Sequence, residues 1–157
     1  MKERILIASD HAGFSLKEEL KKYLQNLSFD VKDLGTYSEE RCDYPDFAYN
    51  LASLIFQRKY KRGILICKTG IGNSIVANRF PGVRAGLCYN IKSARLSREH
   101  NDTNVLVLGA EFVSKDYAKK ILKTWLNTKF LKGRHRRRLN KIKKIEEEIL
   151  KKLCYNI

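Results

Sequence analysis

A thiol and a hydroxyl two residues apart, Cys67 and Thr69, stand in the stretch GILICKTGIGN, Gly63 to Asn73. The apolar run Ile64 to Cys67 reads as a short buried strand. Gly70 and Gly72 punctuate the residues after it, and a helical pattern opens at Gly72–Asn73 and continues through Ile75, Val76 and Asn78. A strand, a glycine-rich turn and a helix N-terminus make an anion cradle. The glycines let backbone come close to a ligand, and the free N–H groups of the first helical turn point at it. Cys67 lies at the carboxyl end of its strand, where open α/β sheets bind ligands. An anion hole and a potential acid or base therefore share one loop.

Three more polar clusters stand out: Asp10–His11, His100–Asp102 and Arg134–Arg138. Asp10–His11 follows a strand, as Cys67–Asn73 does. His100–Asp102 precedes one and so belongs nearer the opposite edge of the sheet, where a partner subunit could bring it to the site. Taken singly, each residue has a plain reading. Cys67 is a small buried hydrophobe, His100 a surface or capping histidine, and Asp10 an N-cap. Arg136 and Arg137 read as surface charge. Only their joint occurrence argues for a site.

The elements that must position these groups alternate. Arg4–Ser9 reads as a first strand, and Phe14, Leu16, Leu20, Tyr23, Leu24 and Leu27 recur at helical spacing after it. Phe29–Leu34 alternates like a strand near a sheet edge. Pro45 suits the first turn of a helix with Phe47, Leu51, Leu54 and Ile55 inward. Gly63–Cys67 is the third strand, followed by a helix to about Arg79. Val83–Cys88 is the fourth strand, with a short helix over Ile91–Arg98, and Asn104–Leu108 is the fifth. A helix over Lys115–Asn127 turns Tyr117, Ala118, Ile121, Leu122 and Trp125 inward. Gly133 breaks the chain before a last helix from about 136 to 153. This pattern predicts one α/β domain over residues 1–157, a parallel sheet with helices on both faces. The last helix is surplus to that sandwich. Its seam of Leu139, Ile142, Ile145, Ile149 and Leu153 on a basic background suggests packing on a second subunit.

The chain has 157 residues, 43% of them hydrophobic, enough for one packed core and too many for a disordered tail. No apolar run approaches the roughly 18 residues a membrane span needs. The charged segment at Met1 is followed by too short an apolar run for a signal peptide. The four cysteines (Cys42, Cys67, Cys88, Cys154) are scattered, which argues against a disulfide or metal framework and, with the first segment, for the cytoplasm. The net charge is +15. Between Lys119 and Lys152, 14 Lys or Arg face three Glu, a net of +11. Phosphate handling, nucleic-acid binding and a plain solvated face all fit that excess. The segment lacks interleaved exposed aromatics, which disfavours nucleic acid.

SDHAGFSLKEEL, GTYSEERCDYPDFA, GILICKTGIGNSIVANRFPGVRA, LSREHNDTNVLVLG and GRHRRR, in this order, resemble the ribose-5-phosphate isomerase B and galactose-6-phosphate isomerase family. The resemblance runs from about Lys2 to about Ile149. It implies a Rossmann-like three-layer α/β/α sandwich with a five-stranded parallel sheet. It also implies a homodimer, often paired into a tetramer, with active sites between subunits, no cofactor and no metal. The implied reaction interconverts D-ribose 5-phosphate and D-ribulose 5-phosphate through an enediolate. The alternatives are a hexose 6-phosphate (allose or galactose) isomerase and, further off, a nucleic-acid-binding module.

Such chemistry needs a base over the carbon, donors for the developing oxyanion and a group that opens the furanose ring. The resemblance makes Cys67 the base at C2, Thr69 its assistant at C1 and His100 the ring opener. The backbone from Lys68 through Gly70, Ile71 and Gly72 to Asn73 would hold the enediolate. Asp10 and Asn101 would bind hydroxyls, Arg134, Arg138 and His11 the phosphate, and Tyr44 would line the pocket. A thiol of ordinary pKa, about 8.5, needs help to ionise, and the helix N-terminus offers some. Two residues depart from the family pattern. Lys68 stands where a small residue is usual, and Glu111 where many members carry Arg; Lys68 or Lys115 could compensate for that lost cation.

Overall fold

The computed structural model describes residues 3–155. Five strands form one all-parallel sheet in the order β2-β1-β3-β5-β4. They are β1 (Arg4–Ser9), β2 (Asp30–Asp33), β3 (Arg62–Cys67), β4 (Ala85–Leu87) and β5 (Val105–Gly109). The helices are α1 (Phe14–Asn26), α2 (Tyr44–Phe56), α3 (Ile71–Ala77), α4 (Ile91–Asn101), α5 (Lys115–Asn127) and α6 (Arg134–Tyr155), with a 3₁₀ turn at His11–Gly13.

Central strands of a parallel sheet are covered on both faces and so carry unbroken apolar runs. β1, β3 and β5 do, and their alternate residues feed two cores. Ile5, Ile7, Ile64, Ile66, Leu106 and Leu108 pack with α1, α4 and α5 around Trp125. Leu6, Ala8, Leu65, Val105 and Val107 pack with α2 and α3. β2, which reads as alternating, is an edge strand, as its half-exposed residues require.

Several boundaries shift from those the sequence predicts. The fourth strand shrinks to Ala85–Leu87; at its start the Val83 N–H turns back to the Phe80 carbonyl at 3.0 Å and the Arg84 N–H bonds the Asn104 side chain. α4 runs on to Asn101 before Asp102, in the left-handed conformation (φ 44°), ends it. His100 and Asn101 are therefore helical and not on a loop. α6 starts two residues earlier than expected, at Arg134, directly after the left-handed Gly133. It belongs to neither core, and Ile142, Ile145, Ile149, Leu150 and Leu153 stay exposed.

Candidate active site

The strand order reverses between β1 and β3. At such a point the loops leaving the two carboxyl ends diverge and open a crevice. Asp10 and His11 leave β1 there, and Cys67 leaves β3. Cys67 is 4% exposed, and its Sγ accepts the Gly70 N–H at 3.1 Å. That hairpin-tight loop needs Gly70, which sits at φ 81°; a Cβ there would also come within 3.1 Å of the Leu108 backbone. Thr69 Oγ1 accepts the Ile71 N–H at 3.3 Å. Gly72 is covered by the Tyr44 ring, which a Cβ at that position would strike, so Tyr44 lies against the cradle as expected. Lys68 has no positive φ, so the loop takes its side chain without backbone strain.

Two buried polar side chains near these strand ends lack partners among the described residues. Asn73 is 1% exposed, and among the described residues neither atom of its amide finds a hydrogen bond. Ser9 Oγ, at the end of β1, is buried in the same condition. Buried polar groups are nearly always paired, and an orphan marks a functional floor or a strained one. Asp10 is buried and caps the 3₁₀ turn through the Gly13 N–H at 3.0 Å. Burial pushes its carboxyl above the usual range, against the pull of backbone donors and His11. The His11 ring is held by the loop before α2, with Nδ1 3.1 Å from the Cys42 carbonyl oxygen and 3.3 Å from its nitrogen. A cavity of about 380 Å³ opens beside it, lined by His11, Ala12, Lys68, Ala110 and Glu111.

The second group of expected residues lies elsewhere. α4 descends from β4 and ends where β5 begins, so His100 and Asn101 sit at the amino edge of the sheet. The start of α6 meets them there: the His135 and His100 rings stack at 4.2 Å, 8° from parallel. Arg134 and Arg138 flank His135 on α6, one helical turn apart. His135 is 6% exposed. Burial, then its neighbours His100, Arg134 and Arg138, hold its pKa below the usual histidine value. One chain thus carries the two groups of expected residues on opposite edges. Within one chain His11 lies apart from Arg134 and Arg138, so the expected sharing of a phosphate would need a second subunit.

Three residues near these groups escape a reading of the sequence. His135 lies inside a basic run. Cys42 acts through its backbone, which no sequence signal reports. Tyr89 reaches the Thr69 carbonyl with its hydroxyl at 3.5 Å and packs edge-on against Phe112. Only the preference of strand carboxyl ends for ligands could have pointed to Tyr89, which follows β4.

A parallel sheet with a buried thiol and an anion cradle at its switch point defines a Rossmann-like α/β protein built for a small anionic metabolite. The Ribose/Galactose Isomerase family model matches residues 5–142, and the chain belongs to that family. Ribose-5-phosphate isomerase B of Escherichia coli (strain K12) is 44% identical over 145 residues, 92% of this chain and 97% of the relative. The Clostridium thermocellum ribose-5-phosphate isomerase B structure superposes with a TM-score of 0.91 at 46% identity, covering 93% of this chain and 99% of that one. The Mycoplasma genitalium ribose-5-phosphate isomerase B, solved with bound ribulose-5-phosphate, gives 0.90 at 41% identity, covering 94% and 99%.

Proposed function

We propose that the chain interconverts D-ribose 5-phosphate and D-ribulose 5-phosphate as a homodimer. Each site joins the carboxyl edge of one subunit to the α4–α6 corner of the other. The observation that carries the reading is Gly70 N–H donating to Cys67 Sγ at 3.1 Å. It gives the sulfur the donor that an anionic base uses. Substrate arrives as a furanose, and His100 opens it, moving the proton of the anomeric hydroxyl toward the ring oxygen. Cys67 takes the proton from C2 of the aldehyde form, electrons shift to the carbonyl oxygen at C1, and an enediolate forms. Cys67 then returns its proton to C1 with Thr69 assisting, the O2 hydroxyl proton passes to O1, and C2 is left as the ketone carbonyl.

The Gly70 and Ile71 N–H groups are already engaged by Cys67 and Thr69. The enediolate oxygens are left with the Gly72 and Asn73 amides of the first turn of α3, and with the unpartnered Asn73 side chain. Asp10 and Asn101 hold sugar hydroxyls. His11 from one subunit and Arg134 and Arg138 from the other take the phosphate, where guanidinium forks suit its oxygens. The exposed apolar stripe of α6 supports the dimer. No helix among the described residues is long and apolar enough to cross a membrane. The four free cysteines suit a reducing compartment, and the reading places the protein in the cytoplasm.

The test is turnover of ribose 5-phosphate and of allose 6-phosphate by wild type and Cys67→Ala, without added metal. Ribose 5-phosphate turnover that Cys67→Ala abolishes is the expected result. Turnover of the six-carbon sugar alone moves the substrate to a hexose phosphate. Full activity in Cys67→Ala rules out the thiol base.

A further inference from the structure

Lys68 and Glu111 leave the ends of two neighbouring strands side by side. β3 and β5 pair in register at Cys67 and Gly109, and the ladder continues past both. Ala110 N–H donates to the Cys67 carbonyl at 2.9 Å, and Glu111 N–H to the Lys68 carbonyl at 3.0 Å. This zipper fixes where the two side chains emerge. Their charged ends meet with Nζ 3.5 Å from Oε1, and both side chains are more than half exposed. They share one cavity wall with His11. Lys68 is the one Lys or Arg among the described residues that line this cavity, because Arg134 and Arg138 sit on the opposite edge of the same chain.

A single long contact between exposed charges is a weak tie. A phosphate monoester brings about two negative charges and three acceptor oxygens, and it outcompetes one carboxylate oxygen for an ammonium group. We propose that Lys68 is a phosphate ligand of this cavity and that Glu111 sets its availability. The carboxylate holds the ammonium at the wall, then gives it up to the phosphate of the substrate. The proposal rests on the sugar-phosphate reading of the site and adds a binding residue and an opposing one to it. Glu111 is the opposing one: it competes for Lys68 and repels the incoming anion.

The experiment is a four-variant cycle of wild type, Lys68→Met, Glu111→Gln and the double variant. Calorimetry gives the Kd for inorganic phosphate, and steady-state kinetics give KM for ribose 5-phosphate. Both side chains are exposed on loops, so neither change disturbs the core. Lys68→Met weakens phosphate and raises KM about tenfold, the size of one charge-assisted contact. Glu111→Gln tightens both about threefold, from removing a competing and repelling charge. The double variant stays weaker than wild type and gains less over Lys68→Met than Glu111→Gln gains over wild type, because with Lys68 gone only the repulsion is left to relieve. A Kd unchanged by Lys68→Met overturns the proposal. So does a KM that stays put while phosphate binding shifts, since Lys68 would then serve free phosphate apart from the substrate. If wild type binds phosphate with these differences but turns over no sugar phosphate, the isomerase reading fails while the assignment of Lys68 stands.

Discussion

His135 is held face to face with His100 at 4.2 Å, and burial with its cationic neighbours keeps it toward the neutral form. A neutral flat ring fixes the plane of the ring beside it and adds no charge to the pocket. On the proposed mechanism His135 is therefore a positioning residue for ring opening. His135→Ala is expected to lower ribose 5-phosphate turnover about tenfold, less than the roughly 10²-fold or more lost with a general acid–base group. His135→Phe keeps the stack and recovers most of the rate. The deciding measurement is the isotope effect with ribose 5-phosphate deuterated at C2. Ring opening breaks no C–H bond, so slowing it in His135→Ala drives the isotope effect toward one. An unchanged isotope effect alongside the lower rate would mean that His135 merely supports the fold. Nothing in GRHRRR marks which basic residue turns inward. The angle at which α6 meets α4 decides it, and that angle is a property of packing, not of any local run of residues.

Loops between elements are placed by a few polar bonds, and Asp33 anchors the most consequential one. The Lys17 ammonium is fully buried and bonds Asp33 Oδ2 at 2.6 Å and Glu18 Oε1 at 2.8 Å, and Lys21 joins both. Asp33 Oδ1 accepts the Gly35 N–H, and Gly35 and Thr36 exchange hydrogen bonds with Ser9 at 2.7 Å each. The loop so fixed leads to Cys42, which holds His11, and to Tyr44, which covers Gly72. Burial pushes the Asp33 carboxyl up, but Lys17, Lys21 and the Gly35 amide outweigh it, leaving it below the usual range. A carboxyl lowered on folding stabilises above its unfolded pKa, near 4, and that stability is lost as pH falls through the lower folded value. Asp33→Asn should cost about 3 kcal/mol at neutral pH by leaving Lys17 short of a partner. Urea unfolding at pH 7 and pH 3 checks this: the variant's deficit shrinks at the lower pH, and a deficit that is equal at both refutes the linkage. At Gly70, φ 81° and the close Leu108 backbone forbid a side chain. Gly70→Ala is expected to remove turnover by about 10²-fold or more while costing only about 1–2 kcal/mol of stability, since the strain falls on the cradle itself. Elements such as α1 and β3 were legible in the sequence because period and strand runs are local signals. The Asp33 network was not, because Lys17 reads from sequence as one more surface lysine on α1.

At the scale of the molecule, the proposed site cannot be closed by one chain. Cys67 stands at the carboxyl edge of the sheet and His100 at the amino edge, and α4 spans the distance between them. The sequence already placed His100–Asp102 before β5, which is why a partner was expected; it could not show that α6 would carry Arg134 and Arg138 to the same far corner. α6 leaves both cores with its apolar stripe exposed, and on the near side it forms a groove with the β4 edge, where Glu146 accepts the Gly82 N–H at 3.0 Å. A two-fold dimer that buries the stripe gives two equivalent sites, each with Cys67 from one subunit and His100 from the other. This arrangement has a consequence that a one-chain site lacks. Cys67→Ala and His100→Ala homodimers are each expected to be inactive. When their subunits are mixed and exchanged, half the dimers are mixed, and each mixed dimer has one site with both groups intact. Activity should then return to about a quarter of the wild-type level for the same total protein. If both groups came from one chain, each site would lack one of them whatever the pairing, and no activity would return. Ile145→Asp in the α6 stripe should abolish the recovery by preventing dimers, which light scattering would report as monomers that remain folded by circular dichroism.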